Sequence, residues 1–325
     1  MRKILVTGAA GFVGRHLVRR LLEAGDAVHA VDGIAPSTGA VDPARGWPLF
    51  EPRDYRNFRF YREDCRDWFR RVRDTDFQYA FHLAAMVGGR AMIEDDPLAV
   101  ADDLAIDAAY WRWAQGTRPE KTACFSSSAA YPVALQREDH HVLLKEDMIR
   151  FDRDIGMPDM SYGWAKLTCE YLARLAYQKH GLKSICYRPF SGYGEDQDDA
   201  YPFPSICKRA MAGRGGGQLA VWGPGTQQRD FIHVEDCVDG ILATVDRIHD
   251  ADALNLSTGI YTSFIELARL AADVLGYRPE IQGLPERPAG VFARAGDTAK
   301  QRSLGFQPKI DLRAGIQRAM AQYAC

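Results

Sequence analysis

The first fourteen residues constrain the fold more than any other stretch of the chain. They read MRKILVTGAAGFVG, in which the apolar run at residues 4–6 is long enough for a buried strand. A tight glycine turn follows, and apolar residues then recur at helical spacing as far as Leu22. A strand, a glycine turn and a helix in this order predict the first βα unit of a parallel sheet.

Each glycine of the turn has its own use. Gly8 lets the chain reverse, Gly11 lets the backbone approach a pyrophosphate, and Gly14 lets helix and strand pack closely. The start of the helix offers free N–H groups to the phosphates. A second apolar strand at residues 27–31 leads to Asp32, where an acidic side chain holds a ribose 2′-hydroxyl. We therefore predict a dinucleotide site that prefers NAD, because a carboxylate at this point repels the 2′-phosphate of NADP.

Strands and helices alternate along the first part of the chain, which predicts an α/β fold with a doubly wound parallel sheet of the Rossmann type. After Arg188 frequent glycines separate short elements and predict a smaller mixed substrate domain. We assign residues 1–187 to the dinucleotide-binding domain and 188–325 to the substrate-binding part, with segments at about 230–260 returning to the first domain. Further strands are predicted at residues 58–61, 77–83, 121–125 and 182–187, and helices at 97–115, 161–179, 204–212, 234–248, 262–275 and 312–323.

Composition and charge exclude several kinds of partner. The chain has 325 residues and a net charge of −2 with both signs interspersed, so we expect neither nucleic acid nor an anionic membrane as partner. No apolar stretch reaches transmembrane length, and the N-terminus enters a strand without a signal peptide. The seven cysteines are scattered and lack metal-ligand spacing, so we expect reduced thiols, no metal and a cytoplasmic location.

A tyrosine, a lysine and a serine cluster supply the candidate chemistry. Tyr162 and Lys166 stand four residues apart, hence on one face of the predicted helix. The serines at residues 126–128 end a predicted strand, where open α/β sheets bind ligands. A nearby ammonium lowers the pKa of a phenol, which otherwise lies near ~10. Ser127 or Ser128 can hydrogen-bond a substrate hydroxyl, so these groups suit hydride transfer at a secondary alcohol.

These segments together resemble the extended short-chain dehydrogenase/reductase family of NAD-dependent sugar-nucleotide epimerases, dehydratases and reductases. The likeness rests on TGAAGFVG, the strand ending at Asp32, HLAA, the serine cluster, YGWAK and residues 221–236. Residues 84–89, 127–132, 144–146 and 222–226 are most similar to GDP-mannose 3,5-epimerase and GDP-fucose synthase. The resemblance implies NAD as cofactor and a sugar nucleotide, with GDP favoured, as substrate.

The resemblance also assigns site residues by their positions in the matched motifs. The catalytic residues would be Ser127, Tyr162 and Lys166. The cofactor would contact the last two together with Gly8, Gly11, Phe12, Val13, Gly14, Asp32, Asp64, Leu83, Ala84, Ala85 and Pro189. The substrate would contact Gly88, Ser128, Ser191, Arg229 and Arg294, with the two arginines on its diphosphate.

In relatives of this kind the helices at 97–115 and 161–179 pair across a two-fold axis. We therefore expect a homodimer, with Tyr110, Trp111 and Trp113 on the outward faces of these helices.

Several positions depart from the family pattern. The 3,5-epimerising relatives carry a cysteine acid/base two residues after the catalytic serine, where this chain has Ala129. The 4,6-dehydratases need an acidic pair just after the serine, and Ala129 and Ala130 cannot supply it. Tyr201 falls roughly where the second acid/base of the 3,5-epimerases lies, while Asp103 and Ser191 fall near two family asparagines. The redox unit is thus intact and the added acid/base groups are missing.

The simplest expectation is C4 epimerisation of a sugar nucleotide through a transient 4-keto intermediate. The same residues would serve a 4-ketoreductase or 4-dehydrogenase, although Asp32 disfavours an NADPH-dependent reductase. A 3,5-epimerase with a rebuilt acid/base pair is a second alternative. A non-catalytic NAD-sensing protein is an alternative of another class, and such proteins often lose the Tyr–Lys pair that this chain retains.

Overall fold

A seven-stranded parallel sheet forms the frame of the molecule, described here from a computed structural model at residues 1–35, 38–73, 76–86, 94, 96–98, 100–214 and 217–324. The strands are β1 Lys3–Thr7, β2 Ala27–Asp32, β3 Phe58–Arg62, β4 Tyr79–His82, β5 Lys121–Phe125, β6 Ser184–Pro189, β7 Ser191–Tyr193, β8 Gln218–Trp222, β9 Gln228–Arg229, β10 Phe231–His233, β11 Asp250–Leu256, β12 Thr262–Ser263, β13 Glu280–Leu284 and β14 Ala293–Arg294. The helices are α1 Phe12–Glu23, α2 Cys65–Arg71, α3 Ala101–Thr117, α4 Met160–His180, α5 Pro202–Ala212, α6 Val234–Thr244, α7 Phe264–Val274, α8 Ala299–Ser303 and α9 Leu312–Tyr323.

The order of the strands places a crevice beside β1. The sheet runs β11-β6-β5-β4-β1-β2-β3, and every neighbouring pair is parallel. The chain moves from β1 to β3 on one side and then returns to β4 on the other. Ligands bind outside the carboxyl ends of the strands at such a reversal. The doubly wound parallel sheet expected from the sequence is therefore confirmed, and it directs attention to the ends of β1 and β4.

Helices cover both faces of the sheet because each turns an apolar side toward it. α1 buries Leu17, Val18, Leu21 and Leu22 against one face, where it packs on α6. α3 and α4 pack together on the other face, and α2 packs on α3. The helix predicted at residues 97–115 begins later, at Ala101, and ends at Thr117. The strand predicted at residues 77–83 is shorter at both ends and spans Tyr79–His82.

The aromatic residues of α3 lie inside the chain, so their predicted outward orientation is wrong. Tyr110, Trp111 and Trp113 are all at most 6% exposed. The Tyr110 ring stacks on His82 with centroids 4.0 Å apart, and its hydroxyl donates to the Ala80 carbonyl oxygen. These three side chains pack in the core between the sheet and α2, because each ring buries more apolar surface there than it would on the exposed side of α3.

A smaller mixed unit follows β6. Helices α5, α7 and α9 pack on one another, and α5 and α7 also pack on β8. β8 pairs with β13 in a parallel ribbon, while β9 pairs with β12 and β14. The chain returns to the main sheet through β11, which pairs with β6. No helix of the described residues is both long and apolar enough to span a bilayer.

Candidate active site

A cavity of about 520 Å³ opens where β1, β2, β4 and β5 end. Its wall brings together fourteen of the residues that the sequence assigns to cofactor or catalysis. They are Gly8, Gly11, Phe12, Val13, Gly14, Asp32, Asp64, Leu83, Ala84, Ala85, Ser127, Tyr162, Lys166 and Pro189.

The glycine turn has no room for side chains, and this fits a phosphate cradle. Gly8 has a φ of +67°, and a Cβ there would lie 2.6 Å from the Leu83 carbonyl carbon. A Cβ on Gly14 would lie 2.1 Å from the Gly8 oxygen. Backbone therefore packs directly on backbone in this turn, and the start of α1 lines the cavity, where the pyrophosphate of a dinucleotide would bind.

Two carboxylates stand where the adenosine half of a dinucleotide would lie. Asp32 accepts the N–H groups of Ala10 at 2.9 Å and Ile34 at 2.7 Å, which fixes both of its oxygens at the cavity edge. Burial raises the pKa of Asp32 despite these bonds. Asp64 caps α2 and pairs with Arg66, whose hydrogen bonds lower the pKa of Asp64. Carboxylate oxygens suit ribose hydroxyls and an exocyclic amine, so this end of the cavity fits NAD.

Ser127, Tyr162 and Lys166 meet at the other end. The Ser127 hydroxyl oxygen accepts the Ala129 N–H at 3.1 Å, and the hydroxyl lowers the pKa of the Tyr162 phenol. That bond does not use the hydroxyl hydrogen of Ser127, so the O–H can still donate toward the cavity. The Lys166 ammonium lies 5.5 Å from the centre of the Tyr162 ring and is 5% exposed. The three groups therefore have the arrangement that proton transfer at a hydroxyl needs.

The pKa of the Tyr162 phenol is raised on balance, because burial outweighs the lowering effect of the ammonium that the sequence predicts. Burial raises it, and the Lys166 ammonium lowers it. The Asp103 carboxylate raises the pKa of Tyr162 further, while the Ser127 hydrogen bond lowers it. Burial is the largest influence on Lys166 and lowers its pKa, but the Asp103, Tyr162 and Asp107 charges together outweigh burial and raise it. Lys166 is therefore a permanent cation beside the phenol.

A buried polar network holds the serine strand end in place. The Ser126 hydroxyl donates to Glu170 of α4, and Arg188 of β6 makes two bonds to the same carboxylate, at 2.6 and 2.8 Å. Arg188 also donates to the Tyr131 hydroxyl at 3.0 Å, on the far side of the serine turn. Residues on both sides of Ser127 are thus tied to one buried ion pair.

Of the five residues predicted for the substrate, the four that the structure describes lie outside this cavity wall. Ser128 is buried in the turn after Ser127, and Ser191 begins β7. Arg229 donates to the carbonyl oxygens of Gln228 and Ala289, at 2.8 and 3.0 Å. Arg294 pairs with Asp159 at 2.8 Å and donates to Gln136. Gly88 falls outside the described residues.

Several groups at the site were not among the predicted site residues, although the sequence analysis places Asp103 and Tyr201 near positions of the family pattern. Asp103 lies 3.5 Å from the Lys166 ammonium, although 63 residues separate them in the chain. Gln197 and Asp198 line the cavity from the loop before α5. Phe190 and Tyr201 also belong to its wall. Among the described residues no group of His, Cys, Asp or Glu could hold a metal ion.

Comparison with known proteins agrees with this geometry. The chain matches the model of the NAD dependent epimerase/dehydratase family over residues 4–257. It is 28% identical to the dTDP-4-dehydro-6-deoxy-D-allose reductase of Streptomyces bikiniensis over 97% of this chain and 94% of that protein. The putative GDP-L-fucose synthase 2 of Oryza sativa subsp. japonica is 28% identical over 48% of this chain and 47% of its own.

A solved structure extends the likeness to the whole fold. The UDP-glucose 4-epimerase of Thermotoga maritima, crystallised with UDP-glucose, superposes with a TM-score of 0.84 at 25% identity. The match covers 99% of this chain and 98% of the epimerase. With the glycine cradle, the Asp32 strand end and the Ser–Tyr–Lys group in one cavity, the chain belongs to the NAD-dependent epimerase/dehydratase family of sugar-nucleotide enzymes, and its cofactor is NAD.

Proposed function

We propose that this protein catalyses C4 epimerisation of a nucleoside diphosphate sugar and recycles bound NAD in each turnover. One observation carries the proposal. Ser127, Tyr162 and Lys166 share the cavity, while in the turn after Ser127 the side chains of Ala129 and Ala130 are buried methyl groups and the buried Ser128 lies outside the cavity wall. Such a site can oxidise and reduce one carbon, and that turn offers no group for moving protons at neighbouring carbons.

The residues have separate roles in this reaction. Bound NAD supplies the acceptor and later the donor of the C4 hydride. Tyr162, as phenolate, takes the proton of the C4 hydroxyl and returns it when the ketone is reduced. Ser127 donates its O–H to the same substrate oxygen, and Lys166 stabilises the phenolate by its charge. Rotation of the keto sugar between the two half-reactions presents its other face, so the product differs only at C4.

Other groups in the cavity are poor replacements for the missing acid/base pair. Burial raises the pKa of the Cys65 thiol and of the Cys237 thiol to about 12, so neither is a thiolate at neutral pH. Burial also raises the pKa of Tyr201 well above that of an ordinary phenol. These directions favour C4 chemistry over a 3,5-epimerase with a rebuilt acid/base pair.

A one-way 4-ketoreductase or 4-dehydrogenase is the second candidate. It uses the same three side chains, and the full-length similarity to a dTDP-sugar reductase favours it. The two candidates differ in their need for cofactor, because an epimerase returns the hydride that it removes. For the nucleotide, the half-length similarity to a GDP-L-fucose synthase supports GDP, whereas the full-length relatives named above support dTDP and UDP.

The test is incubation of the purified protein with GDP-, UDP-, ADP-, CDP- and dTDP-sugars in deuterated water, followed by NMR. We expect a C4 epimer without added NADH, and little deuterium at C3, C4 or C5. Tyr162→Phe should lower turnover by ~10²–10⁴-fold, since that is what a general base contributes. An absolute requirement for NADH, with no epimer formed, would establish the one-way reaction instead. Deuterium at C3 or C5 would restore the 3,5-epimerase, and binding of NAD without any turnover would indicate a sensor.

We also propose a homodimer in a reducing cytoplasm. α3 and α4 pack together, and their exposed sides carry large apolar residues: Leu104, Trp164, Tyr171 and Tyr177, which are 38–44% exposed. Two copies could bury these sides in an isologous four-helix contact. The six cysteines at described positions are free and buried, which supports reduced thiols.

A further inference from the structure

The carboxylate of Asp103 is a buried charge to which the mechanism above gives no role. Asp103 lies in α3 and is 1% exposed. Its Oδ2 atom lies 3.5 Å from Lys166 Nζ and makes no hydrogen bond to any described residue. Its Oδ1 atom accepts the backbone N–H of Met86, which belongs to the cavity wall. One side chain therefore contacts both the lysine of the site and the loop after β4.

We propose that Asp103 is a positioning residue that fixes the Lys166 ammonium and keeps Tyr162 protonated to higher pH than a neutral side chain at this position would. The inference rests on the proposed function, in which Tyr162 is the general base. A lone ammonium favours phenolate, whereas a carboxylate behind that ammonium opposes it. Both charges act strongly because the cluster is shielded from water.

The directions of the pKa shifts agree with this geometry. For Tyr162, burial and Asp103 raise the pKa, against the effects of Lys166 and Ser127. For Asp103 itself, burial raises the pKa and the Lys166 ammonium lowers it. If burial kept Asp103 protonated at working pH, its removal would not change the ionisation of Tyr162. The experiment below separates these two states.

Other titratable groups face the cluster from the surrounding elements. Asp107, one turn further along α3, pairs with His82 of β4 at 3.2 Å rather than with the lysine. Arg294 lowers the pKa of Tyr162 but is itself paired with Asp159. The remaining groups are Cys124 of β5, Cys169 of α4 and Tyr201 in the loop before α5. Asp103 is the carboxylate that forms an ion pair with Lys166 among the residues described.

Asp103→Asn tests the proposal, because the amide keeps the shape and can still accept the Met86 N–H. Asp102→Asn is the matched control, since it removes an exposed charge that pairs with Arg66 at the adjacent position. The ionisation of Tyr162 is followed by the pH dependence of its ring NMR signal, with and without NAD, and assigned by the loss of that signal in Tyr162→Phe. The pH–rate profile of epimerisation is measured in parallel.

In Asp103→Asn we expect the midpoint of the Tyr162 NMR titration and the acid limb of the pH–rate profile to move to lower pH. In Asp102→Asn both should stay at their native pH. Each pH unit of movement raises the rate on the acid limb about tenfold. An unchanged or higher midpoint in Asp103→Asn would overturn the proposal. The NMR titration needs no turnover, so it decides the role of Asp103 even if no sugar nucleotide reacts.

If Asp103→Asn does not fold, a second variant still tests whether Asp103 affects the ionisation of Tyr162. Asp103→Ser, which keeps an acceptor for Met86, replaces it in the same titration. If both variants fail to fold while Asp102→Asn folds, the role of Asp103 is structural and the proposal is wrong.

Discussion

Replacing Asp32 should change which dinucleotide the protein accepts. Asp32 presents both carboxylate oxygens at the cavity edge, oriented by the Ala10 and Ile34 N–H groups. A carboxylate there accepts ribose hydroxyls of NAD, and a hydrogen bond to a charged group contributes about 1.5–3 kcal/mol. We therefore expect Asp32→Ala to weaken NAD binding by roughly 10–100-fold.

The same change should affect NADP in the opposite direction. Two unit charges about 5 Å apart at an effective dielectric constant of about 20 repel by about 3 kcal/mol. That repulsion opposes the 2′-phosphate of NADP in the native protein and disappears in Asp32→Ala. NADP loses no favourable contact to this carboxylate, so its affinity should rise while that of NAD falls.

Calorimetric titration of both dinucleotides into the native protein and the variant measures this change. Asp42→Asn is a suitable control, because Asp42 pairs with Arg62 away from the cavity wall. The reasoning fails if the native protein binds NADP as tightly as NAD. It also fails if Asp32→Ala weakens both dinucleotides equally, since Asp32 would then only hold the loop in shape.

Four further changes test the packing around the site. A Cβ on Gly163 would lie 2.4 Å from the Ala129 oxygen, so Gly163→Ala should lower kcat while the NAD affinity measured by calorimetry stays close to native. Arg188→Met leaves the buried Glu170 carboxylate without its ion-pair partner, so it should lower the free energy of unfolding, measured in urea, by about 3–5 kcal/mol. Burial opposes the ionisation of Asp196, but His16 and Arg15 outweigh it and lower its pKa. The ionised carboxylate therefore stabilises the fold at pH values above the unfolded pKa of ~3.9, and Asp196→Asn should be less stable than the native protein at pH 7. Urea titrations should show this stability difference disappearing as the pH falls through the lowered pKa of the folded protein. Light scattering should give a dimer mass for the native protein and a monomer mass for the double variant Trp164→Glu, Tyr171→Glu. A monomer mass for the native protein would contradict the proposed four-helix contact.

Local signals in the sequence were sufficient for the glycine turn, the approximate positions of the parallel strands and the last helix. α9 begins and ends where its apolar spacing predicts, at Leu312 and Tyr323. The cavity wall contains the predicted catalytic trio because parallel strands present their carboxyl ends at one edge. These features depend on contacts within a few residues or on a general rule of sheet topology.

Contacts between distant parts of the chain could not be predicted in the same way. The apolar residues of α3 are spread around the helix, so their spacing does not reveal which side faces the core. The prediction that Tyr110, Trp111 and Trp113 lie on the outward side of α3 is therefore wrong. Arg294 meets Asp159 across 135 residues, and no local pattern announces that pairing. The ion pair between Asp103 and Lys166 depends likewise on how α3 and α4 pack.

The packing of the serine turn against α4 positions Ser127 relative to Tyr162. The Ala129 carbonyl oxygen accepts the Asp159 N–H at 3.0 Å, and the turn lies against Gly163 in the first turns of α4. This contact brings Ser127 to Tyr162, which precedes Gly163 in the same helix. Ala129 is only 3% exposed, so its methyl group is buried. In the proposed reaction this contact would therefore align the Ser127 and Tyr162 hydroxyls at C4, while the methyl group of Ala129 has no proton to exchange at C3 or C5.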